Sequence, residues 1–135
     1  MILKQSHSTL YVFDQERAKA FYTEKLGFEV REDATLGAFR WLTVAPKTQA
    51  DHCMILMALT AGAFMDQATV DALGELVKRG KLGGGVLQCD DIQRTYEELL
   101  AKGVEFKGPP RQMPYGIEAM FVDDSGNFFS LGERK

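Results

Sequence analysis

The chain has 135 residues, 45% of them hydrophobic and 26% charged, with a formal net charge of -3. That suits one compact unit with a real core, and the scattered charges form no basic stripe, so nucleic acid is not an expected partner. No apolar run is long enough to cross a membrane, and MILKQSHST lacks the apolar core and cleavage pattern of a signal peptide. A cytoplasmic protein is expected. Cys53 and Cys89 lie far apart and in no C-x-x-C pair, which argues against zinc-knuckle and redox roles and for two reduced, buried thiols.

Leu3 to Phe13 reads as a strand, with Leu10 and Val12 on one face and His7, Thr9 and Tyr11 on the other. Asp14 stands where an N-cap belongs, since its carboxylate can accept from the free amides of a first helical turn. Ala18, Phe21, Tyr22 and Leu26 then recur at helical spacing, and Gly27 can take the left-handed conformation that ends the helix. Phe28 to Arg31 reads as a second strand. After a turn at Leu36-Gly37, the aromatic and β-branched run Phe39 to Val44 reads as a third. Pro46 to Asp51 is a polar loop, and His52 to Leu59 a fourth strand. A second helix starts at Asp66, buries Val70, Leu73, Leu76 and Val77, and stops at Gly80.

The glycines of Lys81 to Gly85 lead into a strand that continues from Val86 to Cys89. A phosphate cradle would place them between a strand and a helix N-terminus, so close backbone approach is the better reading. Asp91 caps a third helix with Ile92, Tyr96, Leu99 and Leu100 as its apolar stripe. Val104 to Lys107 is a short strand broken by Gly108-Pro109-Pro110. Tyr115 to Val122 and Phe128 to Gly132 are strands around a turn at Asp123 to Asn127.

Two stretches repeat. His7 to Val30 and Gly84 to Phe106 both read strand, helix, strand. Asp14 matches Asp91, Arg17 matches Arg94, and Gly27 matches Gly103 with one residue fewer in the second copy. A unit repeated twice at half-chain spacing makes paired modules rather than a solenoid.

With V-x-D at Val12 to Asp14, Arg17, FYTEKLGFEV at Phe21 to Val30, Asp90 to Ile92, KGVEF at Lys102 to Phe106 and D-x-x-G-N at Asp123 to Asn127, the chain resembles the vicinal oxygen chelate superfamily. That group includes glyoxalase I, bleomycin-resistance proteins and extradiol dioxygenases. The resemblance implies an α+β fold of two βαβββ modules, eight strands in all, forming cup-shaped mixed sheets. One domain would span 1–135, with module one at 1–60, a connecting helix at 61–81 and module two at 82–135. It also implies a homodimer, its cups built within one chain or across two.

Metal-dependent members of the superfamily take ligands from the first and fourth strand of each module. Here those positions are His7, Leu56, Gly84 and Ser130, so one strong ligand remains and neither a metal nor another cofactor is expected. Glu133 has the wrong parity to replace Ser130. His52 lies about 13 Å from the Leu56 position, and Gln5 about 7 Å from His7.

By parity, Thr9, Tyr11, Met54, Leu56, Val86, Gln88 and Phe128 face the cup beside His7 and Ser130. They either make a mostly apolar small-molecule site or pack on one another. Tyr115 begins a strand after a proline-bounded loop at the mouth, where it can gate a ligand or pack on the surface. Arg40 and Trp41 face opposite ways, so only one lines the cup; an inward Arg40 would hold an anionic group. Two functions compete. One is a bleomycin-resistance-type binder of a small organic molecule, contacting His7, Thr9, Tyr11, Arg40, Met54, Leu56, Gln88, Tyr115, Phe128 and Ser130. The other is a glyoxalase-like lyase of the lactoylglutathione lyase class, or an isomerase, dependent on a metal or using His7 as general base. The binding reading is preferred.

Overall fold

The structure is a computed structural model that describes residues 1–134; the last residue of the second module lies outside them. The described chain divides into two compact units, Met1–Glu75 and Leu76 onward.

The first unit contains β1 (His7–Val12), α1 (Gln15–Ala20), β2 (Glu29–Leu36), β3 (Phe39–Ala45) and β4 (Cys53–Ala58). Its sheet runs β1-β4-β3-β2, with β1 parallel to β4 and the other pairs antiparallel. Asp14 caps α1 as expected, its Oδ1 accepting from the Arg17 amide at 3.0 Å. Beyond Ala20 the helix widens into a π-helical turn, Phe21–Lys25. The Leu26 amide there reaches back to the Phe21 carbonyl, and the Phe28 amide to that of Tyr22. In the second unit the matching amide, on Val104, reaches Leu99, one residue nearer. The extra residue of the first copy is therefore housed in the π turn.

One face of this sheet is the core. Leu10, Val12, Leu42, Val44, Met54 and Leu56 are buried on it, beneath Ala18, Phe21 and Tyr22. The helix is fastened to that side by polar contacts as well. Gln15 Nε2 donates to the carbonyls of Leu56 (2.8 Å) and Arg40 (3.1 Å), Glu16 pairs with Arg40, and Lys19 pairs with Asp33.

The second unit repeats the plan with β5 (Gly83–Gln88), α3 (Ile92–Ala101), β6 (Glu105–Phe106), β7 (Arg111–Met113), β8 (Gly116–Val122) and β9 (Phe128–Arg134). Its sheet runs β5-β9-β8-β6, and β5 is parallel to β9. Among the described residues nine strands form where eight were expected. β6 pairs with Phe121 and Val122 of β8, whereas β7 pairs with Gly116 to Glu118 farther along the same strand. They occupy the place of the continuous β2, interrupted at Pro109-Pro110, whose nitrogens cannot donate to a ladder.

The aromatic core of this unit is a chain of rings. Tyr96 meets Phe106 edge-on at 4.8 Å, Phe106 meets Phe121 at 5.5 Å, and Phe121 stacks on Phe129 at 5.5 Å. Asp91 caps α3 through the Arg94 amide, and Glu133 also accepts from the Ile92 amide at 2.8 Å. The D-x-x-G-N turn closes on Asp123, whose Oδ1 accepts from the amides of Ser125, Gly126 and Asn127 at 2.9 Å each. Gly126 has φ +119°, and a Cβ there would collide with the Val77 carbonyl.

Helix α2 (Gln67–Lys78) contains the boundary between the units. Asp66 caps it through the Thr69 amide at 2.8 Å. No helix of the described residues is long and apolar enough to cross a membrane.

Candidate functional site

Strand register decides which side chains share the face that the helices leave open. In the first unit His7, Thr9 and Tyr11 align with Cys53, Ile55 and Met57 across the parallel β1–β4 pair. Thr43 aligns with Ile55, which puts Trp41 and Phe39 on the same side. Two expectations change here. Met54 and Leu56 align with Ser8 and Leu10 and lie on the helix-covered face, so they belong to the core and not beside His7. The parity was set one residue out: β4 enters the sheet with Cys53, not Met54, opposite His7. The open choice between Arg40 and Trp41 resolves in favour of Trp41, whose ring centroid is 5.6 Å from that of His7. Trp41 Nε1 donates to Glu32 Oε1 at 3.2 Å. Arg40 turns to the helix side, where it pairs with Glu16 and Asp33. Its guanidinium holds the Asp33 carboxyl well below the usual carboxylate range, with Lys19 adding to the effect.

His7 is the polar centre of this face. Its Nδ1 lies 2.8 Å from Ser6 Oγ, while Nε2 is shut off from solvent and has no hydrogen-bond partner among the described residues. Farther along the same strand, Thr9 and Tyr11 line a cleft of about 500 Å³. Phe39, Met57, Phe64 and Met65 are among its apolar lining, and Gln15 and Arg40 line it as well.

In the second unit Val86 and Gln88 align with Ser130 and Gly132, and these with Met120 and Glu118. Phe128 aligns with Val122. Gln88, Phe128 and Ser130 thus share one face, with Lys107 Nζ over the Phe128 ring at 5.6 Å. Sequence reasoning missed the group at the middle of that face, Glu118. Its Oε2 accepts from Tyr115 Oη at 2.7 Å and Ser130 Oγ at 3.0 Å, and its Oε1 from Arg111 at 3.4 Å. The Tyr115 hydroxyl, then the Ser130 and Arg111 donors, hold its carboxyl below the ordinary range despite burial. The signal was available: Glu118 is the single acid in the apolar strand GIEAMFV, and hairpin parity pairs it with the face of Ser130. Cys89 lies apart from these groups. Burial pushes its thiol up, and Sγ is 3.7 Å from the Gly132 carbonyl it donates to.

The residues at the four ligand positions do not fit a catalytic metal. Leu56 is in the core, and the β4 side chains on the His7 face, Ile55 and Met57, offer no oxygen or nitrogen donor. At Gly84 a Cβ would collide with the Phe129 ring. Ser130 already donates to Glu118. Among the described residues, no three of His, Cys, Asp and Glu gather closely enough to hold an ion.

Two duplicated open mixed sheets, each with a helix on one face, define a paired βαβββ protein. The chain belongs to the Glyoxalase/Bleomycin resistance protein/Dioxygenase superfamily, whose family model matches residues 4–131. It is similar to the crystal structure of UcmS2, at 47% identity over 98% of each chain and a TM-score of 0.92. It is also similar to TnmS3, an antibiotic binding protein from Streptomyces sp. CB03234, at 33% identity over 99% of this chain and 98% of that one, with a TM-score of 0.78. The Bacillus subtilis (strain 168) protein YetH is 36% identical, over 98% of this chain and 100% of that one.

Proposed function

We propose that this protein binds a small, partly apolar organic molecule on the helix-free face of its first sheet, without a catalytic metal. The observation that carries the reading is His7 Nε2, sheltered and unpartnered beside Trp41, on the strand whose Thr9 and Tyr11 line the cleft. A buried polar atom without a partner is costly, and a ligand hydrogen bond would relieve it. The apolar wall with a few polar groups suits a small-molecule site, and its methionines adapt to varied shapes. The antibiotic-binding role of TnmS3 supports the same class of function. In this reading His7, Thr9 and Tyr11 contact the ligand.

A homodimer goes with this reading, because β1 and β5 are edge strands of their sheets and Val86 is exposed. Light scattering at micromolar concentration should give twice the chain mass.

The binding test uses Trp41, the chain's single tryptophan. Titration with a panel of amphiphilic aromatic compounds should change its fluorescence saturably for at least one of them. His7→Ala should then weaken that compound several-fold, consistent with about 1 kcal/mol for one hydrogen bond. Equal affinity for wild type and His7→Ala would overturn the site.

A further inference from the structure

We infer that Glu118 is a specificity-determining anchor on the helix-free face of the second sheet, where its Oε1 takes a hydrogen-bond-donating group of a small molecule bound to that face, a hydroxyl or a protonated amine. The inference concerns the second sheet by itself and is separate from the first-sheet site proposed above.

The two oxygens of this carboxylate are not equivalent. Oε2 holds two hydroxyl donors, Tyr115 at 2.7 Å and Ser130 at 3.0 Å, and these fix the side chain. Among the described residues, Oε1 has only Arg111, at the long distance of 3.4 Å. The Arg111 side chain is 67% exposed against 12% for that of Glu118, so its pairing is screened and easily exchanged. An ionised carboxylate accepts at roughly four sites, and the bonds named fill three of them. The remaining capacity is on Oε1.

The surroundings leave room for a ligand group. Glu118 aligns with Gly132 on β9, so no side chain from that strand covers it. Gly132 is not a glycine for backbone reasons, since a Cβ there would meet only ordinary contacts, at 3.8 Å to Val86 and 4.0 Å to the Ile117 carbonyl. Beyond Gly132 in the same register stands the exposed Gln88. Met120 and Val122 continue the face from Glu118 along β8 and offer apolar contact. An acceptor-only carboxylate fixed in place favours donors over anions as its direct partners.

Three probes with one ring system test this by calorimetry on the full chain: 2-naphthylmethylamine, 2-naphthylmethanol and 2-naphthoate. The wild type should bind the amine and the alcohol about tenfold more tightly than the carboxylate, as expected for one hydrogen bond to a charged acceptor. Glu118→Gln should cut that preference to about threefold or less, with an unchanged far-ultraviolet circular dichroism spectrum. Arg111→Ala, at an exposed side chain, tests the same point without touching the core, and should tighten the amine by freeing Oε1. A preference for the donors that neither substitution moves would overturn the Glu118 assignment and leave the binding function standing. So would equal binding of all three probes. Absence of saturable binding by any of the three would overturn the Glu118 assignment, and absence of a response in the Trp41 panel would separately overturn the first-sheet site.

Discussion

The ring of Phe129 fills the space that a side chain at Gly84 would need. Phe129 is fully buried and stacked on Phe121, so it cannot step aside cheaply. Gly83 and Gly84 thus make room for the rings of Phe128 and Phe129, where close backbone approach was expected, and Gly84 removes a ligand position from the second unit. Gly84→Ala should destabilise the protein by about 1–3 kcal/mol through overpacking. Urea denaturation measures this, and an unchanged midpoint would contradict the packing.

Leu56 and Met57 are neighbours with opposite tasks. Leu56 is fully buried beneath α1, whereas Met57 lines the cleft. Leu56→Ala should cost about 2–5 kcal/mol of stability while the folded fraction binds ligand normally. Met57→Ala should move the melting temperature less and weaken binding more. Denaturation and titration of the two variants side by side read out the split.

The Asp33–Arg40 pair gives a pH dependence with a definite sign. Asp33 accepts two hydrogen bonds from Arg40, at 2.9 Å each, and one from Lys19 at 3.1 Å, which depress its pKa in the folded state. A depressed carboxyl contributes stability that is fully present above its unfolded value, about 3.9, and is lost as the pH falls toward the folded one. Asp33→Asn should destabilise the protein at pH 7 by about 1 kcal/mol, the scale of a partly exposed pair. The deficit should shrink below about pH 4. Denaturation midpoints of both proteins across the acid range check it, and a deficit that grows on acidification would reverse the sign.

With Gly84, Ser130 and a core Leu56 at three ligand positions, the protein should purify without stoichiometric divalent metal. Elemental analysis is the direct measurement. Near one zinc, nickel, manganese or iron per chain, lost in His7→Ala, would overturn the metal-free reading.

The fold was legible because its signals are local. Asp14 and Asp91 cap their helices, the glycines end them, and the two copies announce the duplication. The face of a strand was harder, because parity has to be counted from a register that only pairing sets. Counting within β1 placed His7, Thr9 and Tyr11 together, whereas carrying the count to β4 put Met54 and Leu56 on the wrong side. In the second unit the count across Ser130, Gln88 and Phe128 matches the register. Glu118 was less legible because the family's ligand positions lie on the first and fourth strands of each module, and β8 is the third. The split of the sixth strand into β6 and β7 was half legible, since the prolines marked a break but not that pairing resumes at Arg111.

The wide turn at Phe21–Lys25 has a consequence for how this half of the molecule tolerates changes of length. An insertion in a helix normally rotates everything after it by about 100° and would turn Phe28 away from Tyr22. Here one broadened ring absorbs the added residue, and the rings of Tyr22 and Phe28 still meet, 5.7 Å apart. The shorter second copy shows that the same strand–helix–strand plan also closes without it. A single deletion in this turn is therefore a change that the architecture already accommodates in its other half, whereas the same deletion inside β1 would invert its faces.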